Sequence, residues 1–207
     1  GIENFCNTSS QRQTNDLNLV EQVRVLRRLQ MTGILRFLEY APVIHVSVPS
    51  NHSQNRVGPQ MPASTAHDDW GIEVQQMLVD VFADRDLPNS LEFICPDEHL
   101  ESVSFLTADN TNVGFVHGHR AGQQTGLERW WAGQALGDQP TALSQILFVG
   151  HFHNWNLNSV GNQRYIITTP SLDNGSSWFT VARGNVATAG VLTLRVRDGV
   201  PTDQLIV

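Results

Sequence analysis

The chain has 207 residues, enough for one sizeable hydrophobic core, and its 40% apolar and 16% charged residues are the proportions of a globular protein. No apolar run approaches the ~18 residues of a membrane-spanning helix. The formal net charge is −7 and all 13 basic residues are arginine, so lysine is excluded as nucleophile, base or phosphate clamp, and the broad basic surface of a general nucleic-acid binder is absent.

Residues 1–19 are rich in Asn, Thr, Ser and Gln and lack the basic start and apolar run of a signal peptide, so a cytoplasmic location is expected. From Leu17 to about Tyr40, apolar residues recur at Leu19, Val20, Val23, Leu26, Met31, Ile34, Leu35 and Leu38. That spacing predicts an amphipathic helix, with Arg24, Arg27 and Arg28 on its solvated face. Val43 to Val48 is β-branched and lies between Pro42 and Pro49, which predicts a buried strand feeding a loop. The loop runs to about Ala66. A second amphipathic helix follows, with Asp68 or Asp69 as N-cap and Ile72, Val74, Met77, Leu78, Val81 and Phe82 inward.

Strands are predicted at Leu91 to Cys95, Val103 to Leu106 and Val113 to Val116, and a helix at Thr125 to Leu136. In that helix Trp130-Trp131 reads as one ring in the core and one at its edge rather than as a base-stacking platform. Further strands are expected at Ile146 to Val149, Tyr165 to Thr168, Trp178 to Val181 and Val191 to Val196. Helix and strand alternate first and strands dominate later, which predicts the α/β class and a single domain over residues 1–207. Cys6 and Cys95 read as ordinary reduced thiols.

Five of the eight histidines fall in three short segments, each where an apolar strand runs into a glycine or polar turn. These are Ser50-Asn51-His52-Ser53, Val116-His117-Gly118-His119 and Val149-Gly150-His151-Phe152-His153. Strand ends are where α/β enzymes place ligands. If His151 and His153 continued the strand they would point to one face, close enough to share a cavity but too far apart to share one ion. Two metals about 4 Å apart, each taking one imidazole, would suit that spacing. His45, inside an apolar strand, reads as a satisfied core histidine. His67 and His99 read as solvated loop residues, and His119 as a cap of the following turn ahead of a residue lining the site beside His117.

Gly150-His151-Phe152-His153 after a buried run resembles the Gly-His-x-His signature of calcineurin-like metallophosphoesterases. Asn51-His52 resembles their Gly-Asn-His-Asp/Glu motif, His117 matches the lone metal-binding histidine between the two, and Thr169-Pro170-Ser171 is similar to the stretch that closes the site in some members. The resemblance covers roughly residues 1 to 182. It implies a layered αββα sandwich and a metal-dependent phosphoesterase acting through a dinuclear site of Mn, Fe or Zn ions. Asn51, His117 and His151 would bind one metal and His153 the other, and His52 would protonate the leaving oxygen or stabilise charge on the phosphoryl group. The substrate implied is a phosphate ester, first among them a phosphodiester in DNA as in the nuclease branch; no membrane partner is implied.

Two departures stand out. Ser50 and Ser53 replace the motif's glycine and carboxylate, and that carboxylate would fix the tautomer and raise the basicity of His52. The family's opening Asp-x-His strand and Gly-Asp-x-x-Asp motif do not precede Asn51, although Gly1-Ile2-Glu3-Asn4 resembles the end of the second. The expectation is therefore a domain incomplete at its N-terminus, lacking its first strands and the metal-bridging aspartate. Two other readings stay open: a metal-binding or interaction domain without catalysis, and a mononuclear zinc hydrolase built on His117, His151 and His153.

Overall fold

A computed structural model describes residues 2–4, 15–58, 61–173 and 188–207. Cys6 and the strand expected at Trp178 to Val181 lie outside these residues. The chain forms two compact units, Gly1–Glu101 and Ser102–Val207.

In the first unit, helix α1 (Leu19–Leu38) is opened by Asn18. The Asn18 side chain accepts from the Glu21 N–H at 3.0 Å, and the Glu21 carboxylate accepts from the Asn18 N–H at 3.0 Å. This capping box satisfies two donors that a helix start otherwise leaves open. Strand β1 (Val43–Val46) pairs in parallel with β2 (Leu91–Ile94), Val43 opposite Leu91 and Val46 opposite Ile94. A parallel pair needs a crossover, and helix α2 (Trp70–Phe82) supplies it. Val23, Ile34 and Leu38 of α1 pack with Val74, Leu78 and Phe82 of α2 over Val43, Leu91 and Phe93, forming the core of this unit.

The first strand is shorter and less buried than the sequence suggests. It stops at Val46 because its partner soon reaches Pro96, which has no N–H for the ladder, and Ile44 is 43% exposed. His45 is a satisfied histidine, as expected: its Nδ1 lies 3.0 Å from Gln75 Oε1. Burial lowers its pKa, with the Gln75 bond pulling the other way. His99 is exposed. His67 departs from expectation, since it is half-buried and its Nε2 donates to the Pro96 carbonyl at 2.7 Å.

The second unit contains β3 (Ser102–Leu106), β4 (Asn112–Val116), β5 (Ile146–Val149), β6 (Asn156–Ser159) and β7 (Tyr165–Thr168) in one sheet of order β3-β4-β5-β7-β6. The three central strands run parallel and both edges antiparallel. Alternation sends Leu147 and Val149 to one face and Ile146 and Phe148 to the other. Helix α3 (Leu127–Leu136) covers the first face with Leu127 and Trp131. The hairpin of β8 (Leu192–Arg197) and β9 (Val200–Ile206) covers the second through Leu192, Leu194 and Val196. Trp131 is buried with its indole N–H donating to the Thr141 carbonyl at 2.8 Å, while Trp130 is half-buried, so the two rings divide as expected.

Sequence reasoning missed β6 and β9. Strand β6 is the polar run Asn-Leu-Asn-Ser at a sheet edge, and β9 carries Pro201; both are features that blunt exposed strand edges. The α/β class holds in each unit.

Asp109 ties the β8–β9 turn to the loop after β3. Its carboxylate accepts from the Thr107 hydroxyl at 2.5 Å and from the Asp198 N–H at 2.8 Å. The Thr107 bond first, then the Asp198 bond, hold its pKa down at about 2. The folded value lies below the unfolded one, so this contribution is present above about pH 4 and is lost as pH falls through the depressed value. Urea denaturation followed by tryptophan fluorescence should show wild type losing stability between about pH 4 and 2 that Asp109→Asn does not lose.

Candidate functional site

In the first unit, the loop after β1 winds around Ser50. Ser50 Oγ lies 2.7 Å from Ser53 Oγ and accepts from the N–H groups of His52 at 3.3 Å and Ser53 at 3.1 Å. The turn is fixed from outside by Asp69, the N-cap of α2. One carboxylate oxygen accepts from the N–H groups of Gly71 at 2.7 Å and Ile72 at 3.2 Å; the other accepts from Ser50 N–H at 3.0 Å and Ser53 Oγ at 2.7 Å. Asp69 is 3% exposed. Burial raises its pKa, and the four donors pull it back.

Ser53 is therefore a buried strut of the loop rather than a stand-in for a catalytic carboxylate. The carboxylate reaches His52 from a distant position: Glu3 Oε2 accepts a short hydrogen bond from His52 Nδ1. Protonation at Nδ1 leaves Nε2 as the nitrogen able to exchange a proton. The segment bearing Glu3 is itself held, because Asn4 N–H donates to the His52 carbonyl at 2.9 Å, the Asn4 amide donates to Asn55 Oδ1 at 2.8 Å, and Glu3 N–H donates to Gln22 Oε1 at 2.8 Å. Glu3 Oε1 is buried with no hydrogen-bond partner among the described residues. Asn51 sits half-buried in the same turn.

The second unit holds the remaining candidates. Val116 lies opposite Val149 in the parallel pair of β4 and β5, so both strands leave the sheet level with each other. His117 and His151 then meet, with His117 Nε2 and His151 Nδ1 3.3 Å apart and the ring centroids 5.0 Å apart. Two glycines make room. A Cβ on Gly150 would stand 3.4 Å from His117 Nδ1, and one on Gly118, at φ 103°, would stand 2.5 Å from Val149 Cγ1. His119, read from sequence as a turn cap, does both jobs: its carbonyl accepts from Gly122 N–H at 3.2 Å, and its ring lies 5.5 Å from His117 and 6.2 Å from His151. Its spacing two residues after His117 was the available signal.

The strand argument for His151 and His153 does not hold. Strand β5 ends at Val149, and both histidines occupy the left-handed region, at φ 66° and 52°. A turn, not strand alternation, sets their directions. His151 is half-buried against His117 and Phe152, whereas His153 is exposed.

The His117–His151 separation suits two chemistries. Without metal, one nitrogen donates to the other at the long end of hydrogen-bond range. Two imidazoles on one tetrahedral zinc, with bonds of ~2.0–2.1 Å, place their nitrogens ~3.3–3.4 Å apart. The pair thus fits as two ligands of one ion. Among the described residues no group of three or more His, Cys, Asp or Glu is positioned to hold a metal.

Replacing Asp69 tests how the His52 loop is fixed. At neutral pH, Asp69→Ala strands four donors and should cost about 3 kcal/mol in urea denaturation. Asp69→Asn keeps the two cap bonds but cannot accept from Ser50 N–H, so its cost should be about half that. Because burial lifts the Asp69 carboxyl above its unfolded value, the pH-dependent part of its contribution is full below the ordinary carboxylate range and is lost as pH rises through the raised value, leaving the four hydrogen bonds; Asp69→Asn should abolish that slope.

No family model matches the chain, and no curated protein matches it. Among solved structures it is similar to a double mutant of Vps29 from Entamoeba histolytica, at 14% identity and a TM-score of 0.42, over 79% of this chain and 74% of that one. Wild-type Vps29 of the same organism, complexed with zinc, is similar at 15% identity and a TM-score of 0.38, over 76% of this chain and 86% of that one. A predicted phosphoesterase from Streptococcus pneumoniae is similar at 13% identity and a TM-score of 0.34, where 53% of this chain spans 57% of that one.

Proposed function

We propose that the chain is the greater part of a metal-dependent phosphoesterase of the calcineurin-like kind, cleaving a phosphodiester, with DNA as the first class of substrate. The observation that carries this reading is the meeting of His117 and His151 at the ends of two parallel strands, nitrogen to nitrogen at 3.3 Å, between two glycines. His117 and His151 would hold a divalent metal, with His153 as a further ligand by resemblance to the family motifs. Nitrogen ligands favour Mn, Fe or Zn over Mg. When bound, such an ion supplies Lewis-acid activation of water and of the phosphoryl oxygens.

The chain's own contribution to proton transfer is His52. Glu3 fixes its Nδ1–H, so Nε2 in its protonated form can donate to the leaving oxygen. The acidic surface adds little attraction for a phosphate, which leaves its capture to metal and local arginines.

The further ligands expected by resemblance, the Asp-x-His pair and the bridging aspartate, are proposed to lie upstream of Gly1. A second reading, a metal-binding domain without catalysis, is favoured by the pairing of just two histidines among the described residues.

Zinc or manganese titration by calorimetry should show binding that weakens at least ~10-fold in His117→Ala and in His151→Ala. Unchanged affinity in both variants would remove the proposed metal centre. Hydrolysis of bis-p-nitrophenyl phosphate with Mn²⁺ should appear in the chain extended upstream by its parent gene. In that chain Glu3→Gln should lower kcat ~100-fold while leaving metal affinity intact. Metal binding with no hydrolysis in either length would establish the binding domain instead.

A further inference from the structure

Strand pairing sets a row across the sheet of the second unit. Val116 of β4 lies opposite Val149 of β5, Val149 opposite Thr168 of β7, and Thr168 opposite Asn156 of β6. Because β6 runs antiparallel to β7, the residue just before it leaves the sheet at the same end as the residues that follow β4 and β5. His117, His151 and Trp155 therefore stand along one end of the sheet, in the spatial order β4, β5, β6 with β7 between the last two. Neighbouring strands lie ~4.8 Å apart, so the ends of β5 and β6 are separated by about 10 Å.

The chain at Trp155 is held in place. The carbonyl of Asn154, one residue earlier, accepts from the Thr168 hydroxyl at 2.6 Å, and that hydroxyl accepts from the Gln124 amide at 3.1 Å. On the same loop Phe152 packs into the core beneath α3, whereas Trp155 is 43% exposed. Trp70 and Trp130 are half-buried and Trp131 is buried, so among the described residues Trp155 is the one tryptophan in the exposed class. A lone exposed apolar residue is ordinary on a protein surface. Its placement distinguishes this one, because it shares the sheet end with the histidine pair.

Resting on the phosphoesterase reading above, we propose that Trp155 is a stacking platform for a nucleobase, which makes the substrate a single-stranded nucleic acid. Charge favours this class of contact. At a net charge of −7 the chain has little long-range attraction for a phosphate backbone, so holding a strand falls to contacts that do not depend on charge. Stacking on an aromatic ring is such a contact, worth ~1–3 kcal/mol per base and tolerant of sequence because every base has a π-face. In a duplex those faces are already covered by neighbouring bases, and freeing one means unstacking it. A single strand with a phosphate at His117 and His151 can carry a nearby base across β7 to the indole.

The test compares labelled strands of about 8 nucleotides by fluorescence anisotropy in the presence of zinc. One is oligothymidylate and the other an abasic strand of equal length, which keeps the phosphates and lacks the bases. Oligothymidylate should bind at least ~10-fold more tightly. Trp155→Ala, a surface change, should erase that difference without moving the melting temperature or the affinity for the abasic strand, and Trp155→Phe should keep it to within ~3-fold. Equal affinity for the two strands, or a preference that survives Trp155→Ala, overturns the proposal. A duplex that binds as tightly as the single strand overturns the single-stranded substrate. Zinc titration of the same preparation keeps the two failures apart. Zinc bound through His117 and His151 with no base preference overturns the stacking platform alone, whereas a base preference lost in Trp155→Ala, in a chain that binds no zinc, supports the platform and removes the metal centre.

Discussion

When two parallel strands end level with each other, the residues that follow them have to leave the sheet at the same place. That constraint organises the second unit. Val116 and Val149 are partners in the ladder, and the next residues bring His117 and His151 to 3.3 Å. Gly118 is needed for this: at φ 103° a Cβ there would stand 2.5 Å from Val149 Cγ1, whereas one at Gly150 would only reach ordinary contact with His117 Nδ1, at 3.4 Å. The apolar runs of β4 and β5 bury the strands, burial fixes the register, and the register delivers the histidines.

The first unit reaches a similar end by a different device. Here one carboxylate, Asp69, starts a helix with one oxygen and clasps the loop after β1 with the other. A buried carboxylate is costly unless its acceptor sites are used, and at Asp69 both oxygens are. The loop therefore has a defined shape before any ligand arrives. His52 inherits that shape, and Glu3 then selects which of its nitrogens carries the proton.

Much of this was legible in the sequence. Period and capping placed the three long helices of the described residues to within two residues, and the apolar runs located β4, β5 and β7. The histidines at strand ends stood out because glycine or polar turn residues flanked them. What stayed hidden has physical causes. Strands β6 and β9 are edge strands whose polar residues and proline carry no periodic signal. The left-handed turn at His151 and His153 costs about 1 kcal/mol per residue and cannot be read from a strand-like neighbourhood. The Glu3–His52 pair joins residues 49 apart, and no local pattern encodes such a contact.

The backbone strain at His151 and His153 and the Glu3–His52 pair both bear on the proposed function. Left-handed backbone at two histidines in one turn is tolerated where their placement matters more than the local cost, and a simple metal binder would explain that. The Glu3–His52 pair is different. Both side chains are partly withdrawn from water, Glu3 at 21% and His52 at 40% exposure, and bringing a carboxylate out of solvent has a cost that the attraction between partners only partly offsets. Under the proposed phosphoesterase reading the leaving oxygen takes its proton from a nitrogen already aimed, and the Glu3 carboxylate on His52 Nδ1 is the means of aiming it.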